Sequence, residues 1–232
     1  MKTLDPSRRD QAVATIRMLS VDGVEKANSG HPGTPMALAQ ICLEVWLREL
    51  RYDPSAPNWP DRDRFVLSCG HASMLLYSML HLSGYELTLD DLKAFRQWGS
   101  KTPGHPERGI TPGVETTTGP LGQGISNAVG MALGLKMRAA KLGNDALVSA
   151  RVFGICSDGD LMEGVSCEAS SLAGHLGLDN LLFFYDDNKI TIDGSTDLAF
   201  SEDVAARYAS YGWKTWTIDG HEIPSKRGDL KM

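Results

Sequence analysis

Two short apolar runs, Arg151 to Cys156 and Leu181 to Tyr185, each break off into a polar, acidic cluster, and this pair constrains the fold more than any other feature of the chain. The first is followed by Ser157-Asp158-Gly159-Asp160 and the second by Asp186-Asp187-Asn188-Lys189, with Asn188 thirty positions after Asp158. Nearly continuous apolar runs are typical of parallel strands covered on both faces. The interval suits one βαβ crossover, which is almost always right-handed. The pattern therefore predicts an α/β fold, a central parallel sheet flanked by helices, in one domain spanning residues 1–232. With 232 residues and 42% hydrophobic content, such a chain can bury a sizeable core without disulfides or structural metal.

Other segments fit this frame. Helical spacing of Val13, Ile16, Leu19 and Val24 predicts a helix over Arg9 to Val24, with Gly23 near its end. A Gly/Pro loop then leads into a helix over Met36 to Leu50. A buried strand is expected at Phe65 to Ser68, and helices at Ser73 to Leu82 and at Thr88 to Trp98, the latter capped by Thr88. Gly99 to Gly124 reads as a long loop of the kind that is functional or disordered. In the helix over Ile125 to Leu142, Gly130 and Gly134 would let another backbone approach. Thr191 to Thr196 reads as a hairpin-like turn, Val204 to Tyr211 as a helix, and Lys214 to Ile218 as a further strand.

If the two strands are neighbours, Asp158 and Asn188 meet at the carboxyl edge of the sheet, where open α/β sheets bind ligands. A carboxylate, an amide oxygen and a backbone carbonyl such as that of Ile190 form an oxygen-only half-shell for Mg²⁺ or Ca²⁺, which phosphate oxygens and water would complete. Gly159 would let a ligand approach the backbone. Taken singly, either strand end is an ordinary polar terminus; the pair at this spacing is what points to a site. Gly119, Gly122 and Gly124 precede a helix, a recurrent anion-binding arrangement, with close packing as the rival reading.

Asp158-Gly159 followed by Asp187-Asn188 resembles the thiamine diphosphate motif, with Ser157 where the motif has glycine. Three glycine–histidine loops are more specific: Ser29-Gly30-His31-Pro32-Gly33, Cys69-Gly70-His71-Ala72 and Thr102-Pro103-Gly104-His105-Pro106-Glu107. Together with Thr117 to Gly124 and Ser170 to His175, they resemble the transketolases from about Arg9 to His221. That resemblance implies thiamine diphosphate with a divalent metal, and transfer of a two-carbon ketol unit between sugar phosphates. It implies that His31, His71 and His105 line the channel near the thiazolium and the sugar, with His71 also touching the cofactor. It further implies that Gly119 and Leu121 contact the aminopyrimidine or its bridge, and that Glu163 joins a carboxylate network at a dimer interface. Singly, each loop histidine could merely stabilise its turn; His81 and His175 are read as structural or surface residues.

The resemblance also implies what must come from elsewhere: the glutamate facing the pyrimidine N1′ atom, supplied by another domain or by the second subunit of a homodimer. Pro224, Arg227 and Gly228 break the amphipathic pattern expected after His221, so residues 223–232 read as an atypical tail. A truncated product, or one subunit of a split enzyme, would account for it. The net charge of −6 argues against nucleic acid as the main partner, and no run approaches the ~20 apolar residues of a membrane span. Cys42, Cys69, Cys156 and Cys167 show no paired spacing, which suggests free thiols in a reducing cytoplasm.

Overall fold

A computed structural model describes residues 4–143, 149–191 and 194–220; the 223–232 tail lies outside them. Three parallel strands, β1 (Arg64–Leu67), β2 (Val152–Ser157) and β3 (Leu181–Asp186), form a sheet in that spatial order. Ser157 pairs with Asp186 at its carboxyl edge, so the two polar clusters are adjacent as the spacing predicts.

Strand alternation distributes the core. Phe65, Leu67, Phe153 and Ile155 join one cluster with α1 (Pro6–Ala27), α2 (Gly33–Glu44) and α3 (Ser73–Leu82). Val66 and Val152 join another with Ala128, Ala132 and Leu135 of α5 (Gln123–Leu142). Gly154 is required in β2 because the Phe183 ring lies over it; a Cβ there would sit 2.2 Å from Cε1 of that ring. The β2–β3 crossover holds two helices, α6 (Asp158–Met162) and α7 (Gly164–His175). β3 is only half-buried along its length, less covered than its apolar composition suggests.

Several boundaries differ from expectation. Helix α1 continues through Gly23, which packs on Met74, and ends at Asn28 in the left-handed conformation. After α2 the chain makes a π-helical turn, Val45–Glu49. Thr88 forms a full capping box with Asp91, yet α4 runs only from Leu89 to Lys93, because the chain turns left-handed at Arg96. Gly130 and Gly134 face outward with open space beside them, so within this chain they admit no neighbouring backbone; the close approach falls at Gly124 instead, against Ser68. The hairpin is present as β4 (Ile190–Thr191) and β5 (Gly194–Ser195), followed by α8 (Val204–Ser210). Lys214 to Ile218 is not a strand: the chain there lies exposed, Trp216 and Ile218 included, and among the described residues no strand pairs with it. No described helix is long and apolar enough to cross a membrane.

Candidate active site

The end of β2 enters α6 through a second capping box, Ser157 with Asp160. This places Asp158 at the first helical position, 1% exposed. Its carboxylate accepts a close hydrogen bond from the Tyr185 hydroxyl and one of 3.2 Å from the Lys189 amide. Lys189 has a φ of 60°, which folds residues 188–190 back over Asp158. Asn188 is pinned on both sides: its amide nitrogen donates to Asp186 at 2.8 Å and its oxygen accepts from the Ile190 amide at 2.9 Å. The sheet edge and the turn thus bring together Asp158, Asn188 and the Ile190 backbone.

Whether these residues suit a cation can be judged from charge. Asp158, Asp186 and Asp187 crowd one sheet edge, where the close cation among the described residues is the exposed Lys189 ammonium, 2.7 Å from Asp187. Burial, opposed by the Asn188 hydrogen bond and reinforced by Asp158 and Asp187, raises the Asp186 carboxyl above its ordinary value. Excess anionic charge with oxygen donors is an environment a hard divalent cation would neutralise; in this respect the donors fit, although among the described residues no three His, Cys, Asp or Glu side chains are gathered as a ready-made metal cluster.

Gly159 faces Leu121: a Cβ at Gly159 would lie 3.0 Å from Leu121 Cδ1. These two expected cofactor contacts are therefore in contact with each other. The glycine-rich turn before α5 is less open than expected. The Gly122 amide donates to Asp160 at 2.9 Å and the Ile125 amide to Ser68 at 3.2 Å, so these donors are not free for an anion. Glu163 is exposed at the α6–α7 junction, its side chain stacked against Gly122.

The three histidine loops converge. Gly70 abuts the backbone of Thr118 and Gly119, where a Cβ would meet the Gly119 nitrogen at 2.7 Å. Gly119, at a φ of 146°, in turn lies against the His105 ring. The His31 and His71 rings meet edge to face at 5.2 Å between centroids, and Thr34 Oγ1 lies 3.5 Å from His71 Nε2. Burial first, then repulsion from Arg96, holds His31 below the ordinary histidine value. Burial does the same to His71, aided by His31 and His105 and opposed by Asp160. It also lowers His105, aided by Arg96 and His31 and opposed by Glu107. In all three, protonation is disfavoured relative to a free imidazole, which suits accepting or relaying protons. His81 is satisfied by the Leu87 carbonyl at 2.7 Å and His175 is exposed at the end of α7, both outside the cluster.

Sequence reasoning missed two residues. Asp160, fully buried, accepts from Ser68 Oγ at 2.7 Å as well as from Gly122 and Ser157. The S-x-x-D spacing of a capping box was its visible signal. Arg96, beside His31 and His105, carries no local signature.

The family model described as "Transketolase, thiamine diphosphate binding domain" matches residues 8–227. The transketolase of Geobacillus stearothermophilus is 56% identical over 220 residues, covering 94% of this chain and 33% of that protein. Transketolase 1 of Vibrio cholerae serotype O1 is 58% identical over 220 residues, covering 93% and 33%. The crystal structure of Campylobacter jejuni transketolase superposes with a TM-score of 0.90 at 51% identity, covering 94% of this chain and 34% of that one. The Pichia stipitis transketolase solved in complex with sedoheptulose-7-phosphate gives 0.85 at 57%, covering 88% and 30%. The chain thus spans about a third of the length of the curated relatives it matches. With its parallel sheet, its convergent histidine loops and this breadth of similarity, the chain belongs to the transketolase family and corresponds to that family's thiamine diphosphate binding domain.

Proposed function

We propose that this chain supplies the metal- and diphosphate-holding section of an enzyme that transfers a two-carbon ketol unit from ketose to aldose phosphates. The observation that carries the reading is the closeness of the Asn188–Ile190 turn to Asp158 at the sheet's carboxyl edge, the edge from which β1 leads into the His71 turn. Asp158, Asn188 and the Ile190 carbonyl would hold Mg²⁺ or Ca²⁺, and Gly159, Leu121, Gly119 and His71 would line the cofactor's wall. The chemistry that bound thiamine diphosphate supplies is a nucleophilic carbon adjacent to a positive nitrogen, which stabilises negative charge left when a ketose is cleaved. His31, His71 and His105 serve the sugar: an unprotonated imidazole, the form that burial favours in all three, donates to a carbonyl or hydroxyl oxygen and takes up the proton released on cleavage. Glu163, exposed at its helix junction, is available to a facing subunit.

The glutamate that faces the pyrimidine has no counterpart in the matched section, so the reading requires a pyrimidine-binding domain, from a homodimer or from a complementary chain. Sedoheptulose-7-phosphate in the Pichia stipitis complex supports sugar phosphates as substrates. Free cysteines, three of them buried, support a reducing compartment such as the cytoplasm. The second reading is a cofactor-binding fragment without turnover. A coupled ketol-transfer assay separates them: no activity from the chain alone, and turnover when it is mixed with a pyrimidine-binding section. Turnover by the chain alone would overturn the claimed need for a partner, and failure of the mixture to act would favour the inactive fragment.

A further inference from the structure

Arg96 lies just past α4 in the left-handed conformation, φ 60°, which costs a non-glycine residue about 1 kcal/mol or more. The strain is maintained by the backbone, since the Arg96 amide donates to the Thr102 carbonyl at 2.9 Å. It turns the side chain back between two of the histidine loops. Nη1 donates to Ser29 Oγ at 2.6 Å, two residues before His31. On the other side Gly104, one residue before His105, presents its bare α-carbon: a Cβ there would lie 3.0 Å from Nε and 3.3 Å from Cζ. Any larger residue at 104 would push the guanidinium away. Nε is buried without a hydrogen-bond partner, and among the described residues no carboxylate pairs with this guanidinium. A strained left-handed backbone and a buried donor without a partner are each unfavourable for stability, while the partly exposed guanidinium is held by Ser29 and lies 5.5 Å from the Phe95 ring centroid rather than against a carboxylate. Their coincidence at this point suggests a role other than holding the fold.

We propose that Arg96 is a positioning residue for the histidine cluster: it straps the Ser29–His31 loop to the Gly104–His105 loop and projects an unneutralised positive charge onto both rings. Among the described residues, the charges that act on these rings are few. His31 is acted on by Arg96; His105 by Arg96, His31 and Glu107; His71 by His31, His105 and Asp160. Arg96 is thus the shared permanent cation acting on His31 and His105. Its effect is to disfavour protonation of both, leaving each imidazole free to accept a proton from a sugar hydroxyl. The functional meaning rests on the reading of these histidines as sugar-facing, but the arrangement itself is testable with neither sugar nor cofactor present.

The test is histidine titration and backbone amide NMR of the chain labelled with ¹³C-histidine and uniformly with ¹⁵N, comparing the parent with R96M, R96K and S29A. In R96M the midpoints of His31 and His105 rise together, while His81 and His175 stay at parental values. R96K retains a charge on a shorter reach, so the two midpoints return toward the parent, whereas the Ser29 and Gly104 amide shifts remain displaced. S29A displaces the His31 loop signals and leaves His81 unmoved. Unchanged His31 and His105 midpoints in folded R96M overturn the proposal, as does an equal shift of all the histidines, which would mark a general structural effect. Should R96M not fold, R96K and S29A decide it: parental amide shifts at Ser29 and Gly104 in R96K, together with a parental Gly104 amide shift in S29A, refute the strap. A failed ketol-transfer assay would leave these outcomes untouched, so the two readings fail separately.

Discussion

Replacing Asp158 with alanine should separate the metal role of this carboxylate from its structural one. Without a metal, the side chain accepts from the Tyr185 hydroxyl and the Lys189 amide, charge-assisted bonds worth about 1.5–3 kcal/mol each when lost with nothing in return. Two offsets reduce that cost. The Tyr185 hydroxyl keeps a second acceptor, Asp187, at 3.0 Å, and removing the charge relieves the crowding that raises Asp186. The metal-free variant should therefore lose only about 1 kcal/mol of stability. Metal-dependent diphosphate binding should fall far more, by about a hundredfold or greater, since a direct carboxylate ligand matters at least as much as an outer-shell partner. With ligand at about 100 times its Kd, binding stabilises the parent by about 2.7 kcal/mol; a hundredfold weaker Kd leaves about 0.4 kcal/mol. At roughly 2–4 °C per kcal/mol for a domain of this size, thermal unfolding with Mg²⁺ and thiamine diphosphate should show an increase of about 5–11 °C for the parent and about 1–2 °C for Asp158→Ala. Equal increases for both proteins would refute Asp158 as a metal ligand, and a much larger loss in the absence of ligand would show that its main task is structural.

Gly119→Ala forces a side chain into a φ of 146° and against the His105 ring, costing about 1–3 kcal/mol in chemical denaturation; a loss below about 0.5 kcal/mol would contradict the constraint. Glu44 sits between Arg9 and Arg48, 2.5 Å from each, with Arg9 almost fully buried, so Glu44→Gln should cost about 3–5 kcal/mol by leaving a buried guanidinium unpaired. An unchanged denaturation midpoint would show that water reaches this pair. Because His31, His71 and His105 are all lowered in the folded state, their contribution to stability is present above the ordinary value of 6.5 and is lost as pH falls through their folded values. Stability should decline with acidification below that point, and less steeply in a variant with all three changed to glutamine; superimposable pH profiles would reject the assignment.

How far the sequence was legible follows from how local each determinant is. β2 and β3 announce themselves through apolar runs, and their polar ends are matched by the register that pairs Ser157 with Asp186. Thr88 identifies a helix start because its capping partner, Asp91, lies three residues on. By contrast, Lys214 to Ile218 has strand-like alternation, but alternation specifies a face and not a neighbour to pair with. Gly130 and Gly134 had the spacing of a close-packed stripe, yet which side of α5 meets the sheet is decided by Ala128, Ala132 and Leu135. Arg96 was invisible for a related reason: its importance lies in contacts with Ser29 and Gly104, the first of them 67 residues away.

Asp160 shows why the cation site and the histidine cluster must be understood as one construction. Its buried carboxylate binds Ser157 at the end of β2, one residue before Asp158. It binds Ser68 at the end of β1, three residues before His71, and Gly122, just after Leu121. Three segments remote in sequence are thereby fixed to one anion, which among the described residues has no ion-paired cation to satisfy it. Burying such a charge is costly unless converging donors compensate, and here they come from each segment that must be held in place. Asp160→Asn keeps the shape but offers an N–H where two backbone amides and two hydroxyl groups already point inward. The variant should therefore loosen the His71 turn, the Leu121 wall and the Asp158 corner together, lowering diphosphate affinity and shifting the His71 resonances in the same protein. Movement of only one of the three segments would show that they are held independently.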